Sequence, residues 1–338
     1  MIPTGQPPAV ALRRMTTAYW TSQVIYLAVT LGIPDILADQ PQTSEALAVA
    51  TGTHAPSLYR LLRAVASLGI LEEDEARRFS LTPLGMLLRS DVPGSMRAWA
   101  ILLGEPWFRG AWDNLLHSIR TGNAAFEGVH GAEFWAYLGR DPDANALFNT
   151  AMTSVGQIKI NATVEAYDFS ESREIVDVGG GHGTLLAAIL AGHPKLRGVL
   201  FDLPHVVEGA GAVLRAAGVA DRCEIVGGSF FEAVPAGADV YILQTVIHDW
   251  DDEQSVRILQ TCRRSMGEGA KLLVIEQIVP TGNEYHSSKF DDLNMLVLFR
   301  GRERTVEEFY RLLTIAGFTL SRILPTSSPW SVLEAKPQ

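Results

Sequence analysis

The residues best suited to chemistry in this chain are a histidine and an acid that close two successive apolar runs. His248 lies in "LQTVIHDWDDEQSVRIL", directly after the run "DVYILQ", and Glu276 ends the next run, "KLLVIEQ". An imidazole titrating near neutrality suits proton abstraction, and a neighbouring carboxylate holds its tautomer and raises its basicity. A second candidate is "IVDVGGGHGTLL", in which Gly179, Gly180, Gly181 and Gly183 fall within five residues. Glycines so dense cost backbone entropy and pack nothing, so the turn is built to bring bare backbone against a ligand. The dinucleotide fingerprint requires G-x-G-x-x-G. Here the spacing is G-x-G-x-G, with Thr184 where the third fingerprint glycine belongs, a poor cradle for a pyrophosphate. Asp202, nineteen residues after Gly183, ends the run "GVLFD". A carboxylate there accepts hydrogen bonds from both hydroxyls of a ribose, unless it merely caps a helix beginning at His205. Together the turn and the acid favour an adenosyl ligand.

These residues need a frame that gathers strand ends at one edge. From Glu174 onward the short runs "EIVDVG", "GVLFDL", "CEIVGG", "DVYILQ" and "KLLVIEQ" alternate with segments of helical pattern near 183–192, 205–217, 252–266 and 305–316. That alternation predicts a doubly wound α/β sheet with ligands at the carboxyl edge of its strands. The final runs "FTLSRILP" and "WSVLEAKP" are too close in sequence for a crossover and must pair antiparallel. The first half reads as helical. "TSQVIYLAVTLGIPDIL" breaks at Gly32 and Pro34, "TSEALAVATG" begins on a Thr/Ser cap, and "APSLYRLLRAVASLGIL" precedes a charged turn between two short extended pieces. Three helices and a small hairpin make a winged-helix pattern. The expected division is a winged-helix-like unit over 1–90, a helical region over 91–170 and the α/β domain over 171–338.

A formal charge of −10 argues against a broad nucleic-acid or anionic-membrane surface. The helix that would read DNA, Ser57 to Leu68, offers only Arg60 and Arg63 as cations. A dimerisation or scaffolding role is therefore expected of the winged-helix unit, where a phosphate reader would need a basic face. The two cysteines, Cys223 and Cys262, form no CxxC and no disulfide framework. No signal-peptide pattern and no run long enough to span a bilayer is visible, which predicts a cytoplasmic protein. Acids at Asp249, Asp251 and Asp252, and in "DDLN" at 291–294, lack a convincing ligand spacing. The first group is explained more simply as a helix cap with a negative first turn, and no metal is predicted.

Taken together, "DVGGGHG", "FDLPHV", "GGSFFEAVPAGADVYIL", "HDWDDE", "RGRERTVEEF" and the final "GF" resemble the S-adenosylmethionine-dependent O-methyltransferases of the plant caffeic-acid type and their bacterial small-molecule relatives. The resemblance covers nearly the whole chain. It implies a helical N-terminal half that dimerises and forms part of the substrate pocket, and a doubly wound methyltransferase domain. It places the catalytic base on His248, flanking acids on Glu276 and Glu303, and Asp249 beside the base. It places cofactor contacts on Gly179, Asp202, Ser229, Phe230 and Gln244, with Gly181, Leu203 and Gly228 in the same motifs. Ser229 stands where plant members carry an acid for the adenine amino group, and Gln244 where a lysine is usual. Trp107, Phe148, Met152 and Met295 are the expected pocket residues, although an aromatic and methionine stripe is also ordinary core.

The activity expected on this basis is methyl transfer from S-adenosyl-L-methionine to a hydroxyl of a small aromatic metabolite, leaving S-adenosyl-L-homocysteine. Two other readings stand beside it. The same scaffold could serve C- or N-methylation or a non-methylating reaction assisted by the cofactor, or the winged-helix unit could belong to a ligand-sensing regulator. His248 with two carboxylates favours the first, and the cation-poor N-terminal unit disfavours the last. The expected partners are a small hydroxylated substrate and a second copy of the chain, with no nucleic acid or membrane.

Overall fold

A computed structural model of the chain describes residues 7–338; residues 1–6 of the expected N-terminal unit lie outside the described residues. The chain separates into two compact units, one of residues up to 113 plus 135–157, the other of residues 114–134 plus 158–338.

In the first unit, the apolar run after Ala18 forms the helix Tyr19–Thr30. It stops where Gly32 turns left-handed at φ 70°, a conformation glycine adopts without steric cost, and Pro34 opens the short helix Ile33–Ile36. The Ser44–Thr51 helix starts on Thr43, whose hydroxyl accepts the Ala46 N–H. The expected hairpin is present but enlarged. Strands β1 (Gln42–Thr43), β2 (Leu71–Glu73) and β3 (Arg78–Leu81) pair antiparallel in the order β1-β3-β2. The added strand exists because the residues leading into the helix cap also pair with Phe79 and Arg78. Val29, Leu47, Leu62 and Phe79 are fully buried at the centre. Arg63 and Arg77 both lie over the Tyr59 ring, and Arg78 pairs with Asp74. Val10, Leu12, Met15, Tyr19 and Trp20 are each more than half exposed on the two N-terminal helices.

The second unit is built on seven strands. β4 (Glu174–Val178), β5 (Arg197–Asp202), β6 (Cys223–Gly227), β7 (Val240–Gln244), β8 (Lys271–Gln277) and β9 (Phe318–Pro325) run in one direction, and β10 (Trp330–Pro337) runs against them. The order is β6-β5-β4-β7-β8-β10-β9, with β10 antiparallel to both β8 and β9, as the short final connection requires. Alternate residues feed two cores. Tyr241, Leu243, Leu272 and Val274 face one layer, while Val240, Ile242, Leu273 and Ile275 face the other with Leu186 and Ile160. Continuous apolar strands are what a sheet covered on both faces demands. The segment expected as one helix near 205–217 is two, Pro204–Val207 and Ala210–Ala216, interrupted around Gly209. One helix, Ser288–Leu298, has no counterpart among the sequence expectations. Among the described residues no helix is long and apolar enough to cross a membrane.

Candidate active site

The carboxyl ends of β4, β5, β7 and β8 carry Gly179, Asp202, Gln244 and Glu276, and the order reverses between β4 and β7, the crevice where open α/β sheets take ligands. After β7 the chain does not enter a helix at once. Thr245 takes φ 51°, strained for a β-branched residue, and Ile247–Asp249 forms a single 3-10 turn. Glu276 accounts for this turn. Its Oε1 accepts the N–H groups of Val246, Ile247 and His248 at 3.1, 2.9 and 3.3 Å, donors that would otherwise be stranded in the interior.

His248 donates Nδ1–H to Glu303 Oε1 at 2.9 Å, and Glu276 Oε2 lies 3.5 Å from the same nitrogen. With Nδ1 committed as donor, Nε2 is the atom that carries the lone pair when the ring is neutral, and Asp249 Oδ1 stands 3.4 Å from it. The two flanking acids therefore divide the work. Glu303 orients the ring, while Glu276 mainly holds the turn that presents it. Glu303 is itself placed by its backbone N–H, which donates to Asp292 Oδ1 at 2.9 Å from the Ser288–Leu298 helix. His248, Glu276 and Glu303 have ligand-type atoms within 4.8 Å of one another, but His248 Nδ1 and Glu276 Oε1 are spent on the hydrogen bonds just described. Asp251 caps the Asp252–Ser265 helix by accepting the Gln254 N–H, and Asp291 accepts from Gln277 Nε2.

Burial by itself would strip the proton from the His248 imidazolium. The carboxylates of Glu276, Glu303 and Asp249, with the hydrogen bond to Glu303, outweigh it and raise His248 to about 10. Burial pushes Asp249 up to about 6 against the pull of His248. Burial, then the charges of Glu303 and Asp249, push Glu276 up to about 7 against the pull of His248. Three acids around one ring thus favour its protonated form.

The glycine turn is shaped by the protein as well as for a ligand. Gly179, Gly181 and Gly183 all have positive φ. A Cβ on Gly179 would stand 2.8 Å from Val246, and one on Gly180 would stand 2.6 Å from Asp177 Oδ2, whereas Gly181 faces open space. Asp202 is not a helix cap. The Pro204–Val207 helix has no side-chain cap, and Asp202 accepts the N–H groups of Gly181 (2.8 Å) and Leu203 (2.6 Å). Each carboxylate oxygen keeps a further lone pair for a ligand hydroxyl. Leu203 is 44% exposed beside it. The Ser229 hydroxyl accepts from the Phe231 N–H, and Gly228 N–H donates to the Asp202 carbonyl. Phe230 packs edge-on against Phe231 and Trp250. Gln244 ends β7 with its Nε2 buried and unpartnered within the protein, a donor awaiting an acceptor. An open glycine, a carboxylate with spare lone pairs, an exposed leucine and an orphan amide donor fit an adenosyl group bearing an amino-acid tail.

Of the expected pocket residues, Met295 is buried on the Ser288–Leu298 helix of the second unit. Trp107, Phe148 and Met152 belong to the first unit, where Trp107 stacks on Tyr137 and Phe148 meets Trp135 edge-on. Two residues of the site carry no mark in the sequence. Arg304, fully buried, donates to the carbonyls of Ile247 and Trp250 at 3.0 and 2.9 Å and so clamps the histidine turn from behind. Lys159 donates to Thr245 Oγ1 at 3.1 Å. Arg304 sits inside "RGRERTVEEF", but nothing in its type distinguishes a buried arginine from an exposed one.

A family model described as an O-methyltransferase domain matches residues 112–319, and one described as an O-methyltransferase dimerisation domain matches residues 14–91. The chain is similar to a phenazine O-methyltransferase of Lysobacter antibioticus, 47% identical, with 98% of this chain and 97% of that protein covered. The crystal structure of LaPhzM superposes with a TM-score of 0.92 at 47% identity, covering 98% of this chain and 100% of the other. An O-methyltransferase of neocarzinostatin biosynthesis, solved with S-adenosylmethionine and 2-hydroxy-5-methyl naphthoic acid, superposes with a TM-score of 0.80 at 35% identity, covering 94% of this chain and 96% of the other.

Proposed function

As the chain belongs to the O-methyltransferase family and is an S-adenosyl-L-methionine-dependent O-methyltransferase, we propose that it methylates a hydroxyl of a small aromatic acceptor and that His248 removes that hydroxyl's proton. The observation that carries the reading is the ring geometry of His248. Nδ1–H is fixed by Glu303 at 2.9 Å, which leaves Nε2 to take a proton at the edge that also bears the glycine turn and Asp202.

The cofactor supplies a methyl group already bonded to a sulfonium leaving group, so the protein has only to align the acceptor and ionise it. The backbone at Gly179 and Gly181, with the carboxylate of Asp202, would hold the ribose end, Leu203, Phe230, Ser229 and Gly228 would hold the purine, and Gln244 would offer its amide N–H groups. A phenol with an ordinary pKa of about 10 is a weak nucleophile until its proton leaves. Glu303 keeps the ring turned so that Nε2 receives that proton, and Glu276 and Asp249 stabilise the imidazolium that results.

The test is product analysis by mass spectrometry after incubation with S-adenosyl-L-methionine and matched sets of phenols, anilines and C-nucleophilic enols. Phenols should gain one methyl group, with S-adenosyl-L-homocysteine released in equal amount. Methylation confined to nitrogen or carbon acceptors would overturn the hydroxyl assignment and leave the cofactor assignment standing.

The chain works as a homodimer in the cytoplasm on this reading. The apolar residues exposed on Pro8–Thr16 and Tyr19–Thr30, including Leu12, Met15 and Trp20, fall in or beside the matched dimerisation domain, and an apolar surface of that kind marks an association face. Light scattering at micromolar concentration should give twice the chain mass of 36.8 kDa, and replacing Leu12 and Trp20 by glutamate should halve it. A monomer in the parent protein would contradict the proposal.

A further inference from the structure

We infer that Lys159 is a positioning residue of the methyl-transfer site, its ammonium set against Thr245 to hold the histidine turn and to counterbalance the carboxylates of Asp249, Glu276 and Glu303 around His248. The inference rests on the reading of His248 as base and adds to it a cation that no sequence motif announces.

The geometry comes first. Lys159 lies in the part of the Pro142–Ala166 helix that belongs to the second unit, where its neighbour Ile160 is buried in the core under β7 and β8. From there the side chain reaches the turn after β7, and Nζ donates to Thr245 Oγ1 at 3.1 Å. Thr245 is the left-handed residue that redirects the chain from β7 into the His248 turn. A strained β-branched residue persists where its surroundings over-determine it, and the Lys159 hydrogen bond is one such restraint. On its other side the ammonium lies 5.1 Å from the centroid of the Trp330 ring at the start of β10, within cation–π range.

The charges give the second line of argument. His248 is faced by Glu276 from β8, by Glu303 from the segment after Ser288–Leu298, by Asp249 from its own turn and, farther out, by Asp291 of that helix. One imidazolium cannot balance so many acids. Arg304, the other buried cation nearby, spends its donors on backbone carbonyls, Ser255 and Asp252. Among the described residues Lys159 makes no ion pair of its own, yet Glu276, Asp249 and Glu303 all act on it, and it acts in turn on Asp249. Desolvation pulls the ammonium below the ordinary lysine range while those three acids oppose the fall. A cation in this position lowers the proton affinity of the carboxylates and of the imidazole they surround. It moves His248 back toward the range in which Nε2 can accept a proton.

The experiment uses the full-length protein with His248 labelled for nitrogen NMR, in Lys159→Met, Lys159→Arg and Thr245→Val. Lys159→Met should raise the midpoint of the His248 ring titration by about one pH unit, the usual effect of losing one neighbouring charge. Lys159→Arg should keep the midpoint near the parent value. Thr245→Val, which removes the hydrogen bond and leaves the charge, should shift it less than Lys159→Met. The rate of a single turnover with an accepted phenol should follow, its rising limb displaced to higher pH in Lys159→Met. Binding of S-adenosyl-L-homocysteine measured by calorimetry verifies that each variant is folded. If Lys159→Met does not fold, Lys159→Gln, which keeps a donor for Thr245, gives the same reading. A His248 midpoint unmoved in a folded, ligand-binding Lys159→Met or Lys159→Gln protein overturns the inference. The NMR titration needs no acceptor, so this failure is separable from failure of the proposed reaction.

Discussion

Replacing His248 by alanine should lower the rate of a single methyl transfer by about 10²–10⁴-fold, the usual cost of losing a general base, while binding of S-adenosyl-L-homocysteine changes little. Asp202, Gln244 and the glycine turn make no hydrogen bond to the ring, so the cofactor end should survive. The alanine variant also has a structural consequence. It leaves Glu276 and Glu303, both buried, without the imidazolium that faces them, and uncompensated buried carboxylates take up protons or destabilise the fold. His248→Asn is the cleaner variant, because its amide can still donate to Glu303 but cannot accept a proton at neutral pH. Equal loss of rate in both variants, with stability lost mainly in alanine, separates chemistry from packing. Full transfer activity in a folded His248→Asn protein at neutral pH would remove His248 from the reaction.

The pH dependence follows from the same cluster. His248 is raised to about 10 in the free protein by its three acids. The stability contributed by the imidazolium is fully present below the unfolded histidine value of about 6.5 and is lost as pH rises through about 10. Activity has the opposite slope, since the base must be neutral to accept a proton. The kcat/KM profile, which reports the free enzyme, should therefore rise on a limb well above pH 6.5. In His248→Asn that limb should be replaced by the ionisation of the phenol itself.

The sequence was most informative where function and local pattern coincide. Gly179–Gly183, Asp202, His248 and Glu276 each stand at or just beyond the end of an apolar run, and parallel topology alone brings such ends to one edge. Glu303 stands at no strand end and was reached only through the resemblance. What remained hidden depends on contacts between distant segments. Lys159 and Thr245 are 86 residues apart, and no periodicity marks the lysine that points inward. The Ser288–Leu298 helix carries Asp291 and Asp292 after its first three residues, and they look like possible ligands in isolation; in the fold they receive hydrogen bonds from the Gln277 side chain and the Glu303 N–H. The strength of the pull on the His248 proton is hidden for a related reason. Burial and three simultaneous acids, not one flanking carboxylate, set the proton affinity, and burial is invisible in a strand-end pattern.

Arg304→Met should destabilise the protein by about 2–4 kcal/mol and slow methyl transfer at temperatures where the variant is still folded. Both effects come from one set of bonds. The guanidinium donates to the carbonyl oxygens of Ile247 and Trp250, to Ser255 Oγ and twice to Asp252 Oδ1. Methionine fills similar space and supplies no donor. Both carbonyls keep only long contacts at 3.3 Å, from Ser255 Oγ and, for Ile247, from the Trp250 N–H, so losing the charged donor costs roughly 1–2 kcal/mol each, while Asp252, 61% exposed, returns to water at little cost. The magnitude therefore rests on the carbonyls, not on the ion pair. Those carbonyls bracket His248, whose own carbonyl accepts the Arg302 N–H at 2.8 Å, and Gly301 packs so closely there that a Cβ would collide with it. Freed from Arg304, the turn can shift, and a displacement of about 1 Å at a reacting group can cost on the order of 10²-fold. Chemical denaturation measures the first effect and single-turnover kinetics the second. The loss should appear in kcat more than in KM, because the ring that moves acts in the chemical step. Arg304→Lys, with one charge and no fork to span both carbonyls, should recover little of either. A folded Arg304→Met protein with the parent single-turnover rate would show that the turn holds its place without Arg304.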